Sequence, residues 1–200
     1  PYHLEGGDLC WQIGTGYFGC RDEEGKFSPE IFAKNAALPS VKMIEIKISQ
    51  GAKPGHGGVL PGAKNTVEIA KIRHVQPGIT IISPPSHSSF SDASGLLRFV
   101  QQLRELSGGK PVGFKLCIGD TKEFEDICVQ MNVMKIYPDF ITIDGAEGGT
   151  GAAPPEFSDG VGMPLEPALI FVNRILNMYN VRDKVKVVAS GKVLTSLDIL

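Results

Sequence analysis

The chain has 200 residues, 42% of them hydrophobic and 21% charged, a balance that excludes intrinsic disorder and suits one packed domain spanning residues 1–200. A formal charge of −2 with scattered basic residues argues against nucleic acid as a partner, and no apolar run reaches the roughly 18 residues that a membrane span needs. Cys10, Cys20, Cys117 and Cys128 form neither a CxxC pair nor a metal spacing with histidine, which favours reduced thiols in a cytoplasmic protein over disulfides, and assigns no metal.

Leu9-Cys10-Trp11-Gln12-Ile13 is a short apolar run closed by Gly14-Thr15-Gly16. Ser28 to Ala37 then reads as a helix capped by Ser28, with Pro29 at its first position. Met43 to Ser49 alternates Ile44, Ile46 and Ile48 with Glu45 and Lys47, the pattern of a strand, and a glycine-rich loop from Gly51 to Gly62 and a helix from Thr66 to His74 follow it. Ile79 to Ile82 is a short extended segment, because Ser83-Pro84-Pro85 cannot continue a helix. From Ser94 to Leu106 the apolar residues Leu96, Leu97, Phe99, Val100, Leu103 and Leu106 recur at helical spacing up to Gly108-Gly109.

Further units repeat this order: strand Val112 to Ile118 with helix Lys122 to Met134, strand Phe140 to Asp144 with helix Pro167 to Met178, and strand Val185 to Ala189 with a helix beginning near Thr195. Strands alternating with helices predict an α/β fold with a parallel sheet and crossover connections. Gly14-Thr15-Gly16-Tyr17-Phe18-Gly19 has the GxGxxG spacing after the first strand, but it does not open a helix, since the next one begins only at Ser28, and the chain has no GxxxxGK[ST] loop, so a (β/α) barrel is favoured over the nucleotide-binding doubly wound sheets. Both folds place ligands at the carboxyl ends of their strands.

Two of the loops at such ends are unusually rich in glycine, Gly51 to Gly62 and Gly145 to Gly162. Glycine in that excess points to a backbone that something approaches closely. Lys115 alternates with Phe114 in its strand, so it needs an anionic partner or a solvated mouth, and a Schiff-base role in a phosphate-binding lyase or isomerase remains open to it. Ser190-Gly191-Lys192 is a strand-to-helix turn able to take a phosphate. Lys47, Lys53 and Arg73 flank the first glycine loop and suit a carboxylate ligand, and His56 and His87 are acid–base candidates in loops. Asp144 and Glu147 bracket the other glycine loop, yet Phe157 is the only aromatic residue of that segment, which disfavours a glycosidase pair.

The order Glu45-Ile46-Lys47-Ile48-Ser49-Gln50-Gly51-Ala52-Lys53-Pro54-Gly55, then Ile82-Ser83-Pro84-Pro85, then Gly148-Gly149-Thr150-Gly151-Ala152 resembles the FMN-binding synthase domain of the glutamate synthase family. Trp11-Gln12-Ile13-Gly14-Thr15-Gly16-Tyr17-Phe18-Gly19-Cys20 and Lys53-Pro54-Gly55-His56-Gly57-Gly58 are similar to the shorter, single-polypeptide members.

The resemblance implies a (β/α)8 TIM barrel, of which this chain would supply about strands 3 to 7. It also implies an oxidoreductase of glutamate biosynthesis, in which FMN reduces an iminium formed from 2-oxoglutarate and ammonia. An iron–sulfur cluster of the full-length protein and an electron donor protein or subunit would feed the flavin. By position, Gln50, Lys115, Gly148, Gly149, Thr150 and Gly151 would surround the flavin ring. Lys115 would be the catalytic cation near its N1 and O2 atoms, and Ser190, Gly191 and Lys192 would take part of its phosphate. Lys47, Lys53 and Arg73 would hold the 2-oxoglutarate carboxylates.

His56 and Val59 depart from the GEGGQLPG loop of glutamate synthases, which keeps a different oxo acid or amine open as substrate. An incomplete barrel would leave strand edges unpaired. That predicts weak or no FMN binding by this stretch alone, and it leaves room for a homo-oligomer or an inert interaction module built on those edges.

Overall fold

Short apolar runs set the strands, and polar caps set most of the helix starts, of the computed structural model, which describes residues 5–149, 153–158 and 160–199. The chain divides into two compact units, Pro1–Ile48 with His56–Val112 and Ser49–Gly55 with Gly113–Leu200.

In the first unit, β1 (Leu9–Ile13) pairs in parallel with β2 (Val41–Lys47), setting Trp11 beside Ile44 and Gln12 beside Glu45. The Gln12 amide donates to the Glu45 carboxylate at 2.6 Å, which satisfies a carboxylate that is otherwise buried. Between these strands lies α1 (Pro29–Ala36), whose Ser28 cap accepts from the Ile31 N–H as the sequence predicts. The Lys110 ammonium donates to carbonyls at the far end of this helix, those of Ala36, Leu38 and Val41.

A short antiparallel ladder of β3 (Val59–Leu60) with β4 (Ile81–Ile82) was not legible in the sequence. Between its strands, α2 (Val67–Arg73) is capped by Thr66 and closes on His74 in the left-handed region. α3 (Ala93–Leu106) starts earlier than the predicted Ser94, because Asp92 accepts from the Gly95 N–H at 2.6 Å. Of its apolar stripe, Leu96, Leu97, Phe99, Val100 and Leu103 are buried as expected, whereas Leu106 in the last turn is only half-buried.

His87 is a core residue of this unit. Its ring stacks on Phe90 with centroids 4.9 Å apart and meets Tyr17 edge-on at 5.3 Å. Nε2 lies 2.9 Å from the Lys47 carbonyl, which can only accept, so that nitrogen carries the proton. Burial holds the His87 pKa below its ordinary value.

In the second unit, β5 (Val112–Leu116), β6 (Phe140–Asp144) and β7 (Lys186–Ser190) form a parallel ladder, with β6 in the middle and buried along its whole length. α4 (Thr121–Met134) is capped by Asp120, and α5 (Leu165–Met178) packs on β6, β7 and α4. Phe124 and Phe171 meet between the helices at 6.0 Å, and each large side chain buried there contributes about 1.5–3 kcal/mol. The helix expected near Thr195 is a single 3₁₀ turn, Ser196–Asp198, within the described residues.

Register decides what faces what. Lys115 pairs with Thr142 and Asp144 with Ser190, so Lys115, Thr142, Asp144 and Ser190 share one face of the ladder. Phe114, Ile141 and Ile143 lie on the other face and are fully buried.

Candidate active site

Parallel strands present their carboxyl ends to one side, and in the second unit the polar face reaches that side at Asp144, the last residue of β6. Its carboxylate is almost wholly buried, so it must be partnered. Oδ1 accepts from the Ser190 hydroxyl at 2.8 Å, and Oδ2 accepts from the Gly51 N–H at 2.8 Å. The Lys115 ammonium stands 3.3 Å from Oδ2, and its side chain is 18% exposed. The anionic partner required by a lysine in a strand is therefore Asp144.

Backbone contacts bring the surrounding loops together. The Gly145 N–H donates to the Ser190 carbonyl at 2.9 Å, and the Gly148 N–H to the Gly145 carbonyl at 2.9 Å. Ser49 ties the segment before Gly51 to β5, since its N–H donates to the Lys115 carbonyl and its hydroxyl accepts from the Cys117 N–H at 2.9 Å. A Cβ at Gly51 would collide with the Gly145 carbonyl oxygen, so glycine there permits one main chain to lie on another. Gly191 needs its freedom for a different reason, a φ of +116°. Gly51 thus answers to protein backbone, Gly145 to the Glu147 carboxylate and Leu165, and Gly191 to its own φ, whereas at Gly149 a Cβ would meet, among the described residues, the Glu147 carbonyl at 3.8 Å.

Glu147 acts as a distant cap. Pro164 at the start of α5 offers no side-chain hydrogen bond, and both Glu147 carboxylate oxygens accept from the Leu165 N–H, at 2.9 and 3.0 Å. This contact starts the helix at Leu165, ahead of the predicted Pro167. Cys117 lies buried beside the cluster, and burial first, then the Asp144 charge, pushes its thiol up to about 11.

Gln50, Lys53, Lys115, Gly148, Gly149, Ser190, Gly191 and Lys192 all belong to the second unit. Thr150 and Gly151 lie outside the described residues. Lys53 is buried, with its N–H donating to the Gln50 carbonyl at 3.3 Å. Lys47 and Arg73 belong to the first unit. There the Arg73 guanidinium sits over the Phe18 ring at 4.6 Å and lines a cavity of about 500 Å³ with Trp11, Phe18 and His74, and Lys47 is not part of that lining. Among the described residues no cluster of three or more His, Cys, Asp or Glu could hold a metal ion, and no helix is long and apolar enough to cross a membrane.

Residues 2–200 match the family model described as a conserved region in glutamate synthase. The chain belongs to the glutamate synthase family. It is 45% identical to the glutamate synthase large subunit-like protein YerD of Bacillus subtilis (strain 168) over 97% of this chain and 37% of that protein. It is 35% identical to the archaeal glutamate synthase (NADPH) of Methanocaldococcus jannaschii over 96% of this chain and 34% of that protein. Ferredoxin-dependent glutamate synthase 2 of Synechocystis sp. is also 35% identical, over 94% of this chain and 11% of that protein. The chain therefore spans little more than a third of the length of the first two relatives.

In this member of the glutamate synthase family the sequence singled out Lys115 and both ends of the loop cluster, but missed the hub. Asp144 and Glu147 were weighed only as a hydrolase pair, and the structure gives them separate tasks, one binding Lys115 and the other capping α5. An aspartate closing an Ile-Thr-Ile strand opposite Ser190 was the available signal.

Proposed function

We propose that this chain is part of the FMN-binding domain of a glutamate synthase-type oxidoreductase, supplying about strands 3 to 7 of a (β/α)8 barrel, and that the whole protein carries out reductive amination of 2-oxoglutarate to glutamate. The observation that carries the reading is the half-buried Lys115 ammonium, held by Asp144 at the carboxyl ends of the strands among glycine loops.

The donor set fits an isoalloxazine ring. A fixed cation suits the N1 and O2 edge, where negative charge gathers on reduction. Gln50, Lys115, Gly148, Gly149, Thr150 and Gly151 would border the ring. Bound FMN would supply the hydride for an iminium formed from the oxo acid and ammonia. At the phosphate, the Ser190 hydroxyl is already committed to Asp144, so that contact falls mainly to the backbone of Gly191 and to Lys192.

Lys53 in the second unit, and Lys47 and Arg73 in the first, are the residues that would bind carboxylate, arginine by its forked donors. An electron donor protein or subunit, and an iron–sulfur cluster carried outside this stretch, would complete the redox chain. The four free thiols support a cytoplasmic setting.

The test is the visible absorption spectrum after FMN is added and the excess removed, for this chain and for a version extended at both ends to the length of its relatives. The extended protein should keep a flavin spectrum, and its Lys115→Met variant should bind FMN about tenfold more weakly. An extended protein that retains no flavin would sink the reading.

A further inference from the structure

We propose that Asp144 is the positioning residue of Lys115, a buried carboxylate whose two oxygens are anchored by two different loops so that the ammonium has one fixed place. Oδ1 is held by the Ser190 hydroxyl and Oδ2 by the Gly51 N–H, each at 2.8 Å. With both oxygens pinned, the carboxylate plane cannot turn about its Cβ–Cγ bond without breaking a hydrogen bond. Lysine is a flexible stem with a compact charge, and a freely turning partner would leave that charge spread over several positions. Lys115 instead meets a carboxylate whose own orientation is decided elsewhere.

The arrangement also reads the loops. Gly51 lies in the segment 49–55 and Ser190 closes β7, so a shift of either segment is passed through Asp144 to the ammonium. A merely structural Asp144 would satisfy the Gly51 N–H and do no more. The functional consequence rests on the reading of Lys115 as the flavin cation, while the positioning itself does not.

The test begins without flavin. Trace acylation of the native protein with acetic anhydride, read by peptide mass spectrometry, compares Lys115 with the exposed Lys26 as internal reference. An amine held against a carboxylate is withheld from the reagent, so Asp144→Asn, which keeps the shape and loses the charge, should raise the Lys115 to Lys26 ratio roughly fivefold. Ser190→Ala removes one anchor only and should raise it by a smaller factor, which keeps the test open should Asp144→Asn fold poorly. A folded Asp144→Asn protein with an unchanged ratio overturns the proposal, as does an unchanged ratio in Ser190→Ala if that is the only variant to fold.

A second measurement follows the flavin midpoint potential of the FMN-loaded, full-length protein in wild type, Lys115→Met, Asp144→Asn and the double variant. A residue acting through Lys115 shifts the potential when Lys115 is present and does little once it is gone. Equal shifts in both backgrounds would mean that Asp144 acts on the flavin directly, and would overturn the positioning role. If Lys115→Met leaves the potential unchanged while Asp144→Asn still exposes Lys115 to the reagent, the flavin role of Lys115 fails and the positioning stands.

Discussion

Both units bury a titratable side chain, and they treat it in opposite ways. His87 in the first unit is sealed among Phe90, Tyr17 and Phe99, and hydrogen-bonds a carbonyl while its Nδ1 has no partner among the described residues. Asp144 in the second is met by a hydroxyl, an amide N–H and an ammonium. An imidazole can be buried by discarding its charge, so aromatic packing suffices. A carboxylate meant to stay charged needs donors on both oxygens, and gathering them forces several loops to converge. The convergence distinguishes a site from a core.

The comparison breaks most severely at Gly51. Gly51→Ala drives a methyl group into the Gly145 carbonyl, and both partners are main chain, so the loops must part; a loss of about 3 kcal/mol in denaturant unfolding is expected. A near-neutral result would show that the loops are free to separate. Next comes Asp144→Ala, which leaves the Lys115 ammonium, the Gly51 N–H and the Ser190 hydroxyl without their acceptor. It should cost roughly 2–3 kcal/mol, with Asp144→Asn costing less.

At His87 the expected effect depends on pH. The folded protein holds this ring neutral, so the unfolded chain takes up its proton first. Its contribution is fully present above about pH 6.5 and is lost as the pH falls through the lowered native pKa, with a slope of at most about 1.4 kcal/mol per pH unit. His87→Phe keeps the stacking and should flatten that part of the stability profile. A profile unchanged by the substitution would place the titration elsewhere.

The smallest effect is at Cys117, whose thiol is raised first by burial and then by Asp144. In Asp144→Asn it should react with a thiol reagent at pH 8 slightly faster than in wild type. Cys128, raised to about 12 by burial first and then by Glu125, should not change. Equal acceleration of both would signal general loosening in place of a lost charge.

Much of this fold was legible because its signals are local. Ser28 caps α1 from an adjacent position, the stripe of α3 repeats within one helix, and the alternation in Met43 to Lys47 is visible in the segment itself. The ladder of Val59–Leu60 with Ile81–Ile82 was missed because two-residue strands carry almost no pattern and their pairing spans a whole helix. The start of α5 was missed because its cap comes from Glu147, 18 residues upstream of Leu165. The site divides in the same way. Lys115 stands out as a charge in an apolar strand, whereas Asp144 is defined by partners 93 and 46 residues away, which no window along the chain can join. The glycines were read as room for a ligand, and at Gly51 they are room for another strand of backbone.

The pinning of the segment that follows β6 has a consequence for how this region can change. The Ala146 N–H donates to the Met163 carbonyl, the Met163 N–H to the Ile118 carbonyl, and Glu147 holds Leu165, so the chain is fastened where it leaves the sheet and again where it returns. Its ends are set independently of what lies between them. Closing a longer excursion costs only about 0.6 kcal/mol per doubling of its length. The exposed Pro155-Glu156 turn between these fastenings is thus an insertion port, where evolution or an engineer can add chain while the glycine segment after Asp144 and the Lys115 and Asp144 pair stay in place.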